Sequence, residues 1–391
     1  MFSGKYFQAC CCLHLIIILI FSYFRFQKSD TTDTQLIAGY KTLLQSLNSS
    51  KNALKLANSI ALQNEHPFLP NYLNIVEKSF KTNVFSVDFK KTPNRTANQI
   101  NNLINEKTDG EMAKLLKKRL TRHTRMAFIN ALHFKGAWKD PFDKALSTVE
   151  EFNYDEHNKV PVPMMHKHFS EIKWASYSEG QLLELPYNGE EQSMFLFLPK
   201  EIFCYDIITL SSVYSLLFKR NNGPYFFKDW SENLKPVEIN LHLPRFLIES
   251  TVNMKPTLQM MGINVAFDKK SADFSQITGD KNLRVSKVMH QTLVEVNEAG
   301  SKASTESEKP IPAQSSDTID VKFNRPFLFA IRDNRLQMTL FAGVVQLPKI
   351  RKKRKVVHEN ENKKVVLLKK LVKVVSFDNS LKLNTSDDNF M

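Results

Sequence analysis

Between Gln35 and Leu47 the apolar side chains fall at Leu36, Ile37, Tyr40, Leu43, Leu44 and Leu47, the spacing of one helix face. Asn48-Ser49-Ser50 breaks that pattern, and residues 53–62 alternate in part, which predicts a strand. A second helix is expected over 71–82 and an alternating strand over 84–89. A long amphipathic helix, or a helix pair, is expected over 96–120. From Arg125 the texture changes. Residues 126–134 (MAFINALHF) form a nearly continuous apolar run, the mark of a strand covered on both faces. LLELPYN (182–188) and SMFLFLP (193–199), separated by a short acidic turn, predict a hairpin. Residues 237–246 alternate, 255–263 suit a short helix, and 283–296 suit a long strand ending at Glu298-Ala299-Gly300. The polar, proline-bearing stretch from Ser301 to Asp320 has no periodicity, and strands at 327–333 and 337–347 close the pattern. No internal repeat is found. Helices come first and sheets later, so the class is α+β.

With 391 residues, 42% of them hydrophobic and 24% charged, the chain can bury one large core or two ordinary ones. Its 29 phenylalanines suit half-buried strand faces, and only 11 glycines argue against a glycine-rich phosphate-binding fold. The net charge of +14 is concentrated near the C-terminus, where Arg351, Lys352, Lys353, Arg354 and Lys355 run consecutively. Residues 351–391 read as a basic, flexible tail that is either simply solvated or attracted to polyanions. At the other end, Lys5 precedes an apolar run from Leu13 to Phe24 that Arg25 terminates. That run is short for a membrane span, so residues 1–25 read as a signal peptide or an uncleaved signal anchor. Sequons at Asn48, Asn94 and Asn384 fit an extracellular glycoprotein. Cys10, Cys11 and Cys12 lie within the leader and Cys204 alone lies in the body, so there is no disulfide framework.

Catalytic signatures are lacking: there is no G-x-S-x-G, H-E-x-x-H, Walker loop or G-x-G-x-x-G. His157, His166 and His168 lie close in sequence, but no neighbouring cysteine or carboxylate cluster argues for a metal. Cys204 reads as packing rather than as a nucleophile. No enzyme, cofactor or metal is expected.

Several segments, in order, resemble the serpin family. FINALHFKGAW (128–138) with Pro141-Phe142 is similar to the third strand of serpin sheet A and its turn. VPMM (162–165), LLELPYNGEEQSMFLFLP, VEINLHLPRF and LQMMGINVAFDKKSADFSQI follow in the family's order. SKVMHQTLVEVNEAGSKAS resembles the fifth strand of sheet A running into the reactive-loop hinge. VKFNRPFLFAIRD and LFAGVVQLP resemble the closing strands of sheets C and B. The resemblance spans about residues 35–349 and implies a serpin fold over 31–350: a large mixed sheet A, sheets B and C, helices, and a reactive loop at about 299–320. It implies shutter residues Asn130 and His290 beneath sheet A, and Trp138 at the breach where the loop enters.

In that family the cleaved loop inserts as a new central strand and carries the acyl-linked protease with it. Strand side chains alternate faces, so every second hinge residue after Glu298 and Gly300 must fit beneath the sheet. Counted from Ser301, the inward set is Ser301, Ala303, Thr305 and Ser307, all small and uncharged; Lys302, Ser304, Glu306 and Glu308 point outward. Farther on, Lys309 falls inward, and Pro310 and Pro312 would each remove a ladder hydrogen bond. Family spacing from Gly300 puts the scissile bond at Gln314-Ser315, whereas counting back from Val321 gives Ser315-Ser316.

The resemblance begins at what looks like helix D, so the fold is expected to be N-terminally incomplete. Without helices A to C, Asn130 and His290 would lack their helix partner and sheet A would expose apolar surface. Two functions follow. The first is a secreted, monomeric suicide inhibitor of a serine-type, or else cysteine-type, endopeptidase. The second is a non-inhibitory serpin-fold binding protein whose basic tail takes a heparin-like glycan, with nucleic acid not expected.

Overall fold

The structure is a computed structural model that describes residues 33–48, 53–112, 115–116, 120–178, 180–200, 233–260, 262–281, 283–299 and 318–349. All of them belong to one compact unit, Met1–Ile350. The predicted leader, most of the reactive loop, Cys204 and the basic tail lie outside the described residues.

A five-stranded sheet takes the place expected of sheet A. Its order is β2 (Thr82–Val87), β1 (Ala53–Gln63), β3 (Met126–Lys135), β10 (Lys287–Val296) and β9 (Phe246–Asn253). As the pattern predicts, β1 and β2 interleave with the early helices. Helix α1 (Asp33–Asn48) precedes β1 and helix α2 (Pro70–Lys78) precedes β2. The helix expected over 71–82 stops at Lys78 because Lys81 turns the chain with a φ of 49° and Thr82 starts pairing with Asn58. Likewise, the helix expected over 96–120 is α3, Pro93–Lys107. Asp109 and Gly110, both at positive φ, end it.

Strand parity sorts the central sheet. On one face Ala57, Ala61, Ala127, Ile129, Ala131, Met289 and Leu293 meet Ala97, Ile100 and Ile104 of α3. Small alanines on the strands suit close approach of the helix. On the other face Ile60, Leu62, Met126, Phe128 and Val288 join Tyr40 and Leu44 of α1. Every residue of β3 except Lys135 is buried, as its apolar run predicts, and β10 is buried from Val288 to Val294. The apolar exposure expected of sheet A is thus not found at these strands.

The regions expected to form sheets B and C are continuous, an eight-stranded sheet ordered β11-β8-β5-β6-β7-β12-β13 with β4 on β5. The long β5 (Lys159–Ser176) makes the link. Its first part pairs with β4 (Thr148–Asn153), residues from Met164 to Trp174 pair with β8 (Lys235–Pro244), and its last residues pair with β6 (Gly180–Pro186). An irregularity between Phe169 and Ile172 lets it turn between the two regions. The expected hairpin is β6 with β7 (Gln192–Pro199), which β12 (Phe327–Asp333) and β13 (Met338–Val345) extend. The strand expected from residue 283 starts at Lys287. Beyond it, β11 (Ile319–Lys322) resumes on β8 after the loop.

Candidate functional site

Three residues opposite one another on adjacent strands build the centre of the site. Asn58 of β1 pairs in register with Asn130 of β3, which pairs with His290 of β10. All three share the face opposite α3, and none is more than 1% exposed. Asn130 Nδ2 donates to Asn58 Oδ1 at 2.6 Å, while Asn130 Oδ1 lies 2.6 Å from His290 Nδ1. An amide oxygen only accepts, so Nδ1 of His290 carries the proton. Its Nε2 is then free to accept from the Thr292 hydroxyl at 2.8 Å. Both ring nitrogens are satisfied by the neutral imidazole, and burial pushes the His290 pKa down to about 4. The Tyr40 phenol of α1 lies beside Asn58, and burial raises its pKa well above the ordinary range.

Asn130 and His290 are therefore hydrogen-bonded to each other, and they do not want for partners. Asn58 and Thr292 supply what a helix had been expected to supply. Sequence reasoning missed both, although one signal was present: Asn58-Ser59 is a polar interruption inside an apolar strand.

At the C-terminal end of β10, Trp138 is buried and its Nε1 donates to the Asn297 carbonyl at 2.9 Å. It stacks on Tyr187 with centroids 4.5 Å apart and rings inclined by 7°. The amide of Phe142 donates to the Glu298 carbonyl at 2.9 Å. The buried Glu298 carboxylate accepts from Ser147 Oγ at 2.6 Å and forms an ion pair with Arg245. Glu298 is thus clasped by Ser147 before β4 and Arg245 before β9, two contacts the sequence did not reveal. Gly300, Ser301, Ala303, Ser304, Thr305 and Ser307 lie outside the described residues, as do the candidate reactive bonds at Gln314, Ser315 and Ser316. So do Arg351 to Lys355 and Asn384. Asn94 is exposed in the first turn of α3, and Asn48 is the last residue of α1.

β3 and β10 pair directly and in parallel over eight residue pairs, from Lys287↔Ala127 to Val294↔Phe134. The chain leaves β10 at Asn297 and resumes at β11 on the other sheet. A segment folding back from the end of β10 and entering between β3 and β10 would be antiparallel to both. It would exchange one parallel ladder for two antiparallel ones, a more favourable pairing per residue.

Of the three histidines weighed as metal ligands, His157 is exposed and His168 turns to Asn240 and Glu238. His166 instead lies 2.7 Å from Glu150 and close to His242, so the carboxylate that the sequence reading lacked is present. Burial lowers the His242 pKa, with the neighbouring His166 adding to the effect. Among the described residues no helix is long and apolar enough to cross a membrane.

A family model described as "Serpin (serine protease inhibitor)" matches residues 19–348. Its match begins upstream of residue 35, inside the apolar run read as a leader. Intracellular coagulation inhibitor 1 of Tachypleus tridentatus is 33% identical over 78% of this chain and 71% of its own length. Leukocyte elastase inhibitor of Xenopus laevis is 30% identical over 82% and 86%. Among solved structures, human thyroxine-binding globulin superposes with a TM-score of 0.73 at 26% identity, covering 87% of each chain.

Proposed function

Because this chain belongs to the serpin family, we propose that it inhibits an endopeptidase by offering residues 301–317 as bait and inserting the cleaved loop between β3 and β10. The direct parallel pairing of β3 with β10 carries this reading, since it leaves a place where an added strand gains two antiparallel ladders. Small residues at Ser301, Ala303, Thr305 and Ser307 support it, because they can pass beneath the sheet. So do relatives that are themselves named as inhibitors of elastase and of coagulation. In this reading Glu298, Trp138 and Arg245 hold the hinge until cleavage, and Asn58, Asn130 and His290 keep the sheet closed. The protease attacks at Gln314-Ser315 or Ser315-Ser316. The apolar leader takes the chain into the secretory pathway, where Asn48, Asn94 and Asn384 meet the glycosylation machinery. Incubation with a panel of serine and cysteine endopeptidases tests the core of the proposal. A covalent complex that survives denaturing electrophoresis supports it, and cleavage of the loop with no complex refutes it.

A second reading rests on Lys309, Pro310 and Pro312, which burden the far half of the inserted strand, and on the likeness to a binding globulin. There the protein would be a carrier or glycan-binding molecule, engaging polyanions through Arg351, Lys352, Lys353, Arg354 and Lys355. A chain ending at Ile350 should then leave heparin at clearly lower salt than the full chain, since each lost phosphate- or sulfate-type contact reduces the salt dependence. Unchanged elution would remove the tail from the account.

A further inference from the structure

His166 of β5 and His242 of β8 stand directly opposite each other in register, so their side chains leave the same face of the sheet. Their rings lie 4.2 Å apart between centroids, inclined by 66°. Edge strand β4 adds Glu150, whose Oε1 is 2.7 Å from His166 Nε2 and 3.5 Å from His242 Nδ1. The three donor atoms all lie within 4.8 Å of one another. His242 Nδ1 is buried and makes no well-formed hydrogen bond among the described residues, its polar neighbour being Glu150 Oε1 at 3.5 Å. We propose that Glu150, His166 and His242 form a binding site for a zinc-class divalent cation on the eight-stranded sheet.

Two imidazoles and one carboxylate are the donor set of an open tetrahedral zinc site, with the fourth position left for water. An ion at ordinary zinc bond lengths holds neighbouring donors about 3.3–3.5 Å apart. The Glu150–His242 separation already has that value. The Glu150–His166 pair must open by less than 1 Å (by about 0.7 Å), and the two ring nitrogens must come together by at most about 1.5 Å. Side-chain exposures of 31% for Glu150 and 24% for His166, against 17% for His242, put the open position on the Glu150 side. Rotation of the partly exposed His166 imidazole suffices for the adjustment. Thr148 Oγ1 lies 3.1 Å from Glu150 Oε1 and 2.8 Å from His166 Nε2, so an ion taking Nε2 must displace the hydroxyl from it and leave Thr148 to the carboxylate, the role outer groups take around bound metals. Lys322 stands opposite His242 in register and opposes a cation there. The carboxylate is therefore required for charge as well as for ligation. Nitrogen and oxygen donors of this kind favour zinc-class ions over calcium or magnesium, which take oxygen ligands. The ion would tie β4, β5 and β8 together, and β8 carries β11, the strand that follows the loop. The inference does not depend on whether the loop inhibits.

Titration of the full chain, stripped with chelator, against zinc chloride in a competition assay with a chromogenic chelator tests it. One zinc per chain is expected, with a rise in Tm. Glu150→Gln, His166→Gln and His242→Gln should each weaken zinc by about tenfold or more, as loss of a direct ligand costs at least what loss of an outer one does. His168→Gln, at a histidine engaged elsewhere, should leave affinity unchanged. Thermal melts in chelator establish that each variant is folded without metal. Cobalt(II) spectra identify the donors. Bands free of sulfur-to-metal charge transfer support the site, whereas thiolate bands would place the ion on one or more of the four cysteines, Cys10, Cys11, Cys12 and Cys204, and overturn it. Equal zinc affinity in wild type and in a variant combining Glu150→Gln, His166→Gln and His242→Gln overturns the proposal.

Discussion

Replacing Asn130 by alanine removes a donor and an acceptor at once from a row that water does not reach. Asn58 Oδ1 loses the amide that donates to it at 2.6 Å, and His290 Nδ1–H loses its acceptor at the same distance. Each orphaned buried group costs about 1–3 kcal/mol, so the closed, uncleaved protein should lose about 2–6 kcal/mol. The inserted form should respond differently. Adjacent strands lie about 4.8 Å apart, so a strand between β3 and β10 carries them to about 9.6 Å and has already broken the Asn130–His290 bond. Much of the cost should therefore vanish once the loop is cut and inserted. Urea unfolding of the intact and loop-cleaved proteins, wild type and Asn130→Ala, gives the comparison from shifts in midpoint at constant m. Equal losses in both forms would refute the view that this row holds the sheet closed. A loss below about 1 kcal/mol in the intact protein would refute the hydrogen-bond assignment itself.

The pKa of His290, held at about 4 by burial against 6.5 in the open chain, favours the unfolded state as the ring becomes protonated. Stability from this group is complete above about pH 6.5 and falls as pH drops towards 4, by at most about 3 kcal/mol; unfolding at pH 7 and 4.5 should show a steeper decline in wild type than in His290→Gln. Tyr40→Phe removes a buried hydroxyl that makes no well-formed hydrogen bond among the described residues, so stability should change by less than about 1 kcal/mol; a loss above about 2 kcal/mol would mean the hydroxyl is bonded to Asn58. Arg245→Ala leaves the Glu298 carboxylate with Ser147 alone and should cost about 2 kcal/mol in thermal or urea melts, while speeding proteolysis after Glu298. Thr305→Arg should turn an inhibitor into a substrate, because it forces a charge beneath the sheet. Glu306→Arg, on the opposite parity, should keep most of the gel-stable complex, and equal losses at the two positions would contradict the strand parity.

Periodicity marked β1, β3, β10 and the early helices, because burial on one face or two leaves its mark residue by residue, but it did not single out β4, β5 or β9. The apolar run of β3, the β6–β7 hairpin and the alternation of β8 were readable for that reason. Helix ends were less readable. Lys81, Asp109 and Gly110 stop helices through local turns that a periodic pattern simply runs past. Motif order carried the family, and with it Asn130, His290 and Trp138. What bonds those residues depends on register between strands far apart in sequence, and no local pattern encodes it. Asn58 is 72 residues from Asn130, and Arg245 is 53 from Glu298. The same holds for Glu150, His166 and His242. Sequence offered three histidines close together; His166 and His168 share one face of β5, and it was strand register that set His166 beside Glu150 of β4 and His242 of β8 but His168 beside Asn240 and Glu238. Side-chain type was fixed along the chain, but proximity was decided by the pairing of strands.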